Sequence, residues 1–369
     1  MMSSQHGNSS PPQKLMAGNH ALAEGAIQAG CDAYFGYPIT PQNEIPEYMA
    51  ARMPEEGRVF VQSESELAAI SMVMGAAVTG KRAMTTSSSP GISLMQEGIS
   101  YLCGCELPAV IANVVRGGPG LGNIAAAQSD YFQAVKGGGH GDYHLFVLAP
   151  ASVQEMFDFA FWAFDLAFKY RNPVMILTDG LIGQMMEPLT IREPSWPRAT
   201  PVSFDARDWA LTGAAGRPPR SFKSLFLGDG VLEAHNAKLQ AKYARAAATE
   251  VRYETVATED AQLLLVAYGI MARVCRETVD RLRARGIKAG LLRPLTLWPF
   301  PTAWLAAHAA QFAHILVVEL SCGQMVEDVQ LAVQARTPVS FYGRAGGGIV
   351  TCQELTAVAI ERLGIKETS

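Results

Sequence analysis

Gly36-Tyr37-Pro38-Ile39-Thr40-Pro41-Gln42-Asn43-Glu44-Ile45-Pro46 is the stretch from which the rest of the chain can be read. The apolar run Cys31–Phe35 before it has the form of a short strand, and the pattern after it is helical to about Arg52. Thr40 followed by Pro41 fits a helix N-cap with proline at the first helical position, where a missing N–H costs nothing. A hydroxyl beside free helix N–H groups can equally meet an anion such as a carboxylate, and the two readings are compatible.

Moving outward, Arg58–Gln62 is a strand that enters Ser63-Glu64-Ser65-Glu66 and then the helical run Leu67–Ala77. Ser63 and Glu66 stand at capping-box spacing, which gives Glu66 a structural role. A carboxyl at a strand-to-helix turn is also placed to exchange a proton with a ligand. A third strand, Arg82–Thr86, leads into the small-residue loop 87–91 (SSSPG) and a helix from about Ile92 to Tyr101. A fourth, Pro108–Val115, ends at Arg116 and the loop GGPGLG (117–122). Thus a Thr, a Glu, a Ser/Gly loop and an Arg all fall at carboxyl ends of strands, the edge where open α/β sheets bind ligands. A cation on a glycine-rich loop suits a carboxylate or phosphate; the alternative for Arg116 is a surface ion pair.

Farther on, strand and helix keep alternating: His144–Ala149, a helix from Ser152 to about Lys169, then the strand Pro173–Thr178. That alternation predicts a parallel sheet covered on both faces. From Arg192 prolines and glycines mark a long connector with one charged helix, about 232–250, whose inner stripe is Leu232, Leu239 and Tyr243. A second α/β unit follows, with strands at Gln262–Tyr268, Lys288–Leu292 and His314–Glu319. The expected division is a disordered tail over 1–15, a first domain over 16–191, a connector over 192–260 and a second domain over 261–369.

Several long segments resemble, in order, the α subunit of 2-oxoacid:ferredoxin oxidoreductases, most of all the branched-chain (2-oxoisovalerate) type. They are GYPITPQNEIPEYM (36–49), QSESELAAISMVMGAA (62–77), SSSPGISLMQEGISY (87–101), VVRGGPGLG (114–122) and QSDYFQAVKGGGHGDY (128–143), followed by LLRPLTLWPFP (291–301), VVELSCGQMVEDV (317–329) and FYGRAGG (341–347). The resemblance implies an α/β fold of two parallel-sheet domains: a thiamine-diphosphate pyrimidine-binding-like domain, then a transketolase C-terminal-like domain. It also implies roles. Thr40 and Arg116 match residues that hold the 2-oxoacid carboxylate. Glu66, rather than Glu64, matches the Glu that hydrogen-bonds the aminopyrimidine of thiamine diphosphate, and Pro38, Ile39 and Ser89 match positions that line this cofactor. The implied reaction is oxidative decarboxylation of a 2-oxoacid with coenzyme A, with ferredoxin as acceptor. Pyruvate, 2-oxoglutarate and aryl 2-oxoacids remain open beside the branched-chain substrates. Implied partners are a β subunit holding Mg²⁺ and thiamine diphosphate, a γ subunit, and a ferredoxin-like subunit with iron–sulfur clusters.

Composition agrees with this frame. The chain has 369 residues, 49% of them hydrophobic and 17% charged, enough for a large core and more than one domain. A net charge of −4 without a basic tract argues against nucleic acid. No apolar run reaches the roughly 18 residues of a membrane span, and the polar N-terminus lacks a signal-peptide core, so a cytoplasmic protein is expected. Six scattered cysteines lack cluster spacing and read as buried free thiols in a reducing compartment. Gly228-Asp229-Gly230 has the start of a magnesium–diphosphate motif but no Asn pair after it, so that half of the site is expected on another chain. GGPGLG fails the dinucleotide fingerprint, which weakens a nicotinamide-dependent dehydrogenase as the alternative. A non-catalytic scaffold of the same fold is the other alternative.

Overall fold

In a computed structural model, residues 13–194, 202 and 204–365 are described. The first sheet has seven strands in the order Thr296–Trp298, Phe146–Leu148, Pro173–Asp179, Ala109–Val115, Ala83–Ser87, Ala33–Gly36, Val59–Gln62. All pairs are parallel except the edge pair of Thr296–Trp298 with Phe146–Leu148. The central strands are buried along their whole length, as near-continuous runs such as AVIANVV (109–115) require when helices cover both faces. The chain leaves Ala33–Gly36 toward one edge and Ala83–Ser87 toward the other, so the sheet's switch point lies between these two strands.

The second sheet runs Val339–Gly343, His314–Glu319, Leu263–Val266, Ala289–Pro294, Tyr253–Val256, parallel apart from the last pair. The sheets are not separate in sequence, because Thr296–Trp298 leaves the second unit to extend the first. Where they meet, the buried Arg293 guanidinium pairs with Glu155 and, at 3.1 Å, with Glu254. No helix among the described residues is long and apolar enough to cross a membrane.

Three local expectations change. Gln13–Leu15 do not belong to a tail: Gln13–Ala17 pairs antiparallel with Met186–Thr190, while residues 1–12 lie outside the described part. The connector helix spans Val231–Thr249 and buries Leu239 and Tyr243, but Leu232 is 47% exposed. Of the cysteines, four are buried, Cys352 is partly so, and Cys322 is exposed; all are free.

Candidate active site

Four loops converge at the carboxyl edge of the first sheet. The first, Tyr37–Asn43, is not the start of a helix. Its helix spans Glu44–Glu55 with Asn43 at the N-cap, and the Thr40–Pro41 peptide is cis. The cap expected at Thr40 is therefore absent, since the carbonyls that would begin a helical ladder are used otherwise. Ile39 O accepts from Gln42 N, and Pro41 O from the Asn19 side chain at 2.9 Å. A buried relay fixes this turn from below: the Tyr34 hydroxyl lies 2.6 Å from Thr86 Oγ1, which donates to Gln42 Oε1 at 2.5 Å. Thr40 Oγ1 accepts from Asn43 Nδ2 at 3.3 Å, leaving its own proton for another acceptor. Pro38 is exposed and Ile39 half-buried beside it.

On the second loop, the capping box expected between Ser63 and Glu66 is also absent. The N-cap of helix Glu66–Val78 is Ser65, whose hydroxyl accepts from Ala68 N. The Ser63 hydroxyl instead lies within hydrogen-bond distance of Gly36 O at 3.1 Å and Ser65 O at 3.0 Å, tying this loop to the end of the neighbouring strand. Released from capping, Glu66 points inward: it is 6% exposed, whereas Glu64 is exposed. Among the described residues no hydrogen bond or ion pair reaches the Glu66 carboxyl. The residue is buried but its unpartnered carboxylate oxygens keep contact with solvent, so a ligand can reach them.

The third loop starts a helix earlier than expected, at Ser89–Gly104, with Ser88 at its N-cap and Pro90 in its first turn. Gly91 is pressed against the site: a β-carbon there would lie 2.1 Å from Ser87 Oγ and 2.5 Å from Glu66 Oε1. The Ser87 and Ser88 hydroxyls are buried without partners. Ser89 faces the fourth loop, where its Oγ accepts from Arg116 N at 3.1 Å.

Arg116 is no surface ion pair. It is 6% exposed, and no carboxylate pairs with it among the described residues. Its Nη1 donates to Thr40 O and its Nη2 to Leu121 O, both at 3.0 Å, while Nε is buried without a partner. Arg116 and Thr40 are thus brought together, and Glu66 is held with Ser87 at Gly91 on the adjoining loop. A buried cation without a counter-ion and an accessible carboxyl without a donor are complementary to a ligand that carries an anion and a protonatable ring nitrogen. That chemistry fits thiamine diphosphate at Glu66 and a carboxylate at Arg116. Ser87, Gly91, Asn113 and Asp130 escaped the sequence reading. Only the small-residue run 87–91 carried a signal, since close approach to a loop demands small residues.

Fold and site together define the class, a two-domain α/β protein whose first sheet carries at its carboxyl edge a site with groups that suit thiamine diphosphate. Residues 24–253 match the family model for pyruvate flavodoxin/ferredoxin oxidoreductase, thiamine diphosphate-binding, and residues 261–355 match pyruvate:ferredoxin oxidoreductase core domain II. Ketoisovalerate oxidoreductase subunit VorB of Methanothermobacter thermautotrophicus is 50% identical over 342 residues, 93% of this chain and 96% of the relative. The 2-oxoglutarate synthase subunit KorA of Archaeoglobus fulgidus is 37% identical, over 89% of this chain and 94% of its own. A solved 2-oxoglutarate:ferredoxin oxidoreductase from Magnetococcus marinus, with 2-oxoglutarate, coenzyme A and succinyl-CoA bound, superposes with a TM-score of 0.81 at 28% identity. That match covers 95% of this chain but only 65% of the other. A split-gene transketolase shares the fold, with a TM-score of 0.59 at 16% identity. The chain belongs to the pyruvate flavodoxin/ferredoxin oxidoreductase family.

Proposed function

We propose that this chain is the α subunit of a thiamine-diphosphate-dependent oxidoreductase that converts a branched-chain 2-oxoacid and coenzyme A to acyl-CoA, CO2 and reduced ferredoxin. The observation that carries the reading is the inward-turned, unpartnered carboxyl of Glu66 one loop away from the buried guanidinium of Arg116, which has no counter-ion among the described residues. Bound thiamine diphosphate supplies the electron sink for decarboxylation. Glu66 would hydrogen-bond its pyrimidine ring, with Pro38, Ile39 and Ser89 beside it. Arg116 and the Thr40 hydroxyl would hold the substrate carboxylate and orient the bond that breaks. The half-identity to a ketoisovalerate oxidoreductase subunit supports the same substrate class.

In this reading the diphosphate and Mg²⁺ sit on a β subunit. A γ subunit and a ferredoxin-like subunit with iron–sulfur clusters complete a cytoplasmic complex. Glu66→Gln keeps the shape of the side chain but removes its ability to exchange a proton. In the assembled complex it should lower kcat at least about 100-fold, the scale of lost acid–base catalysis. Unchanged turnover would leave Glu66 a structural residue and the chain a scaffold.

A further inference from the structure

The second sheet has its own switch point, between Leu263–Val266 and His314–Glu319. Beyond the carboxyl ends of such strands an open parallel sheet offers a ligand crevice. Here the chain itself fills it. Gln128, 3% exposed, uses both ends of its side chain and both main-chain groups there. Its N donates to Leu320 O at 2.8 Å and its Oε1 accepts from Leu320 N at 2.9 Å. Nε2 donates to Tyr268 O at 3.0 Å, and the Tyr268 hydroxyl donates to Gln128 O at 3.2 Å. Gln324 of the second unit holds the neighbouring residues, donating to Ser129 O at 2.7 Å and accepting from Phe132 N at 2.8 Å. The Tyr131 hydroxyl donates to Asp328 at 2.7 Å. Even Gly269 is shaped for the plug, since its φ of +55° favours glycine and a β-carbon would stand 3.0 Å from Gln128 Nε2.

Held at the centre of this clamped segment, Asp130 faces the first domain. Asn113 Nδ2 donates to its Oδ2 at 2.8 Å. Asn113 passes this hold on to Ser89, whose N donates to Asn113 Oδ1 at 3.1 Å while its Oγ accepts from Arg116 N at 3.1 Å. A hydroxyl has one proton to give. That proton goes to Arg116 O, 3.3 Å away, so the Ser89 hydroxyl meets both main-chain groups of Arg116 and its place is set through Asn113.

We propose that Asp130 is a positioning residue for the 2-oxoacid carboxylate site: clamped in place by the second domain, it orients Asn113 and, through Asn113 and Ser89, the main chain of Arg116. This rests on the assignment of Arg116 to the carboxylate. The second domain then acts on the reaction through Gln128, Gln324 and Asp328, without any group of its own touching substrate.

The test is steady-state kinetics of the assembled complex with 2-oxoisovalerate and coenzyme A for Asp130→Asn, Asn113→Ala and the double variant. Asp130→Asn removes the charged acceptor from the Asn113 amide. Each single change should raise KM for the 2-oxoacid about tenfold with little change in kcat, the mark of lost uniform binding, and should leave KM for coenzyme A unchanged. Because both residues act on Arg116 in series, the double variant should be no worse than the worse single one. Asp130→Glu retains charge and acceptor and should fall between the parent and Asp130→Asn; it gives the same reading where the Asn variant does not assemble. An unmoved 2-oxoacid KM in the variants that assemble, or effects that multiply in the double variant, would overturn the proposal. Arg116→Lys in the same assay separates the two readings. A KM insensitive to Arg116→Lys removes the carboxylate site itself, whereas a KM raised by Arg116→Lys and untouched by Asp130→Asn removes only the role of Asp130.

Discussion

Gly91→Ala adds one methyl group at the most crowded point of the site. To reach ordinary contact at 3.4 Å, Glu66 Oε1 must retreat by about 0.9 Å from its 2.5 Å and Ser87 Oγ by about 1.3 Å from its 2.1 Å. Both are side-chain ends that can move, so the fold should survive. Overpacking costs about 1–3 kcal/mol, against about 1 kcal/mol gained by replacing glycine within a helix. The atoms that give way include the Glu66 carboxyl, on which the proposed chemistry depends. A displacement near 1 Å at a reacting group is worth about 100-fold in rate, so kcat should fall by that order while the complex stays assembled. Gly104→Ala is the control at the far end of the same helix, where the added carbon would meet Ser224 Cβ at a tolerable 3.4 Å. It should be fully active and equally or more stable. The assay is viologen-linked turnover beside thermal unfolding followed by circular dichroism. Parental turnover in a folded Gly91→Ala complex would refute the placement of Glu66 against this helix.

Two further outcomes concern stability. Burial pushes the Asp179 carboxyl up to about 6 from an ordinary 3.8, against the pull of the N–H groups of Ile182, Leu181 and Ile270. The folded state therefore keeps a proton that the unfolded state has released, so this group's contribution to stability is full below pH 3.8, is lost as pH rises toward 6, and is flat above. Asp179→Asn, still a competent N-cap, should remove up to about 3 kcal/mol of that dependence and gain on the parent as pH rises from 5 to 8 in thermal unfolding; parallel pH profiles would contradict it. Glu155→Ala leaves buried Arg293 with Glu254 alone and should cost about 3 kcal/mol, seen as a lower melting temperature. An unchanged melting temperature would mean that the junction between the sheets does not depend on this pair.

Much of the architecture was legible because buried parallel strands leave long apolar runs, and segments such as 109–115 and 173–179 have no other reading. Helix starts were less so. Ser63-Glu64-Ser65-Glu66 offers two capping registers, and local spacing favours the wrong one. The choice is made by tertiary pairing, since Ser63 is spent on Gly36 O, leaving Ser65 as the cap. Thr40-Pro41 misled for the same reason, because Asn19, distant in sequence, takes the carbonyl the helix would need. The one capping box formed among the described residues, Thr351 with Glu354, passed unnoticed. Short edge strands such as Thr296–Trp298 and Gln13–Ala17 gave too little periodicity to be seen. At the site, position at strand ends marked Glu66 and Arg116 as candidates and the resemblance chose their proposed roles, whereas the clamp around Asp130 depends on contacts nearly 200 residues apart, which no local pattern encodes.

Anaerobic reduction of viologen by the complex purified with this chain, given coenzyme A, added thiamine diphosphate and a panel of 2-oxoacids, tests the central claim most directly. Rapid reduction with 2-oxoisovalerate, ahead of pyruvate, 2-oxoglutarate and aryl 2-oxoacids, is the predicted result. No reduction with any 2-oxoacid, from a preparation with intact iron–sulfur clusters, would contradict the account and leave a scaffold of the same fold in its place.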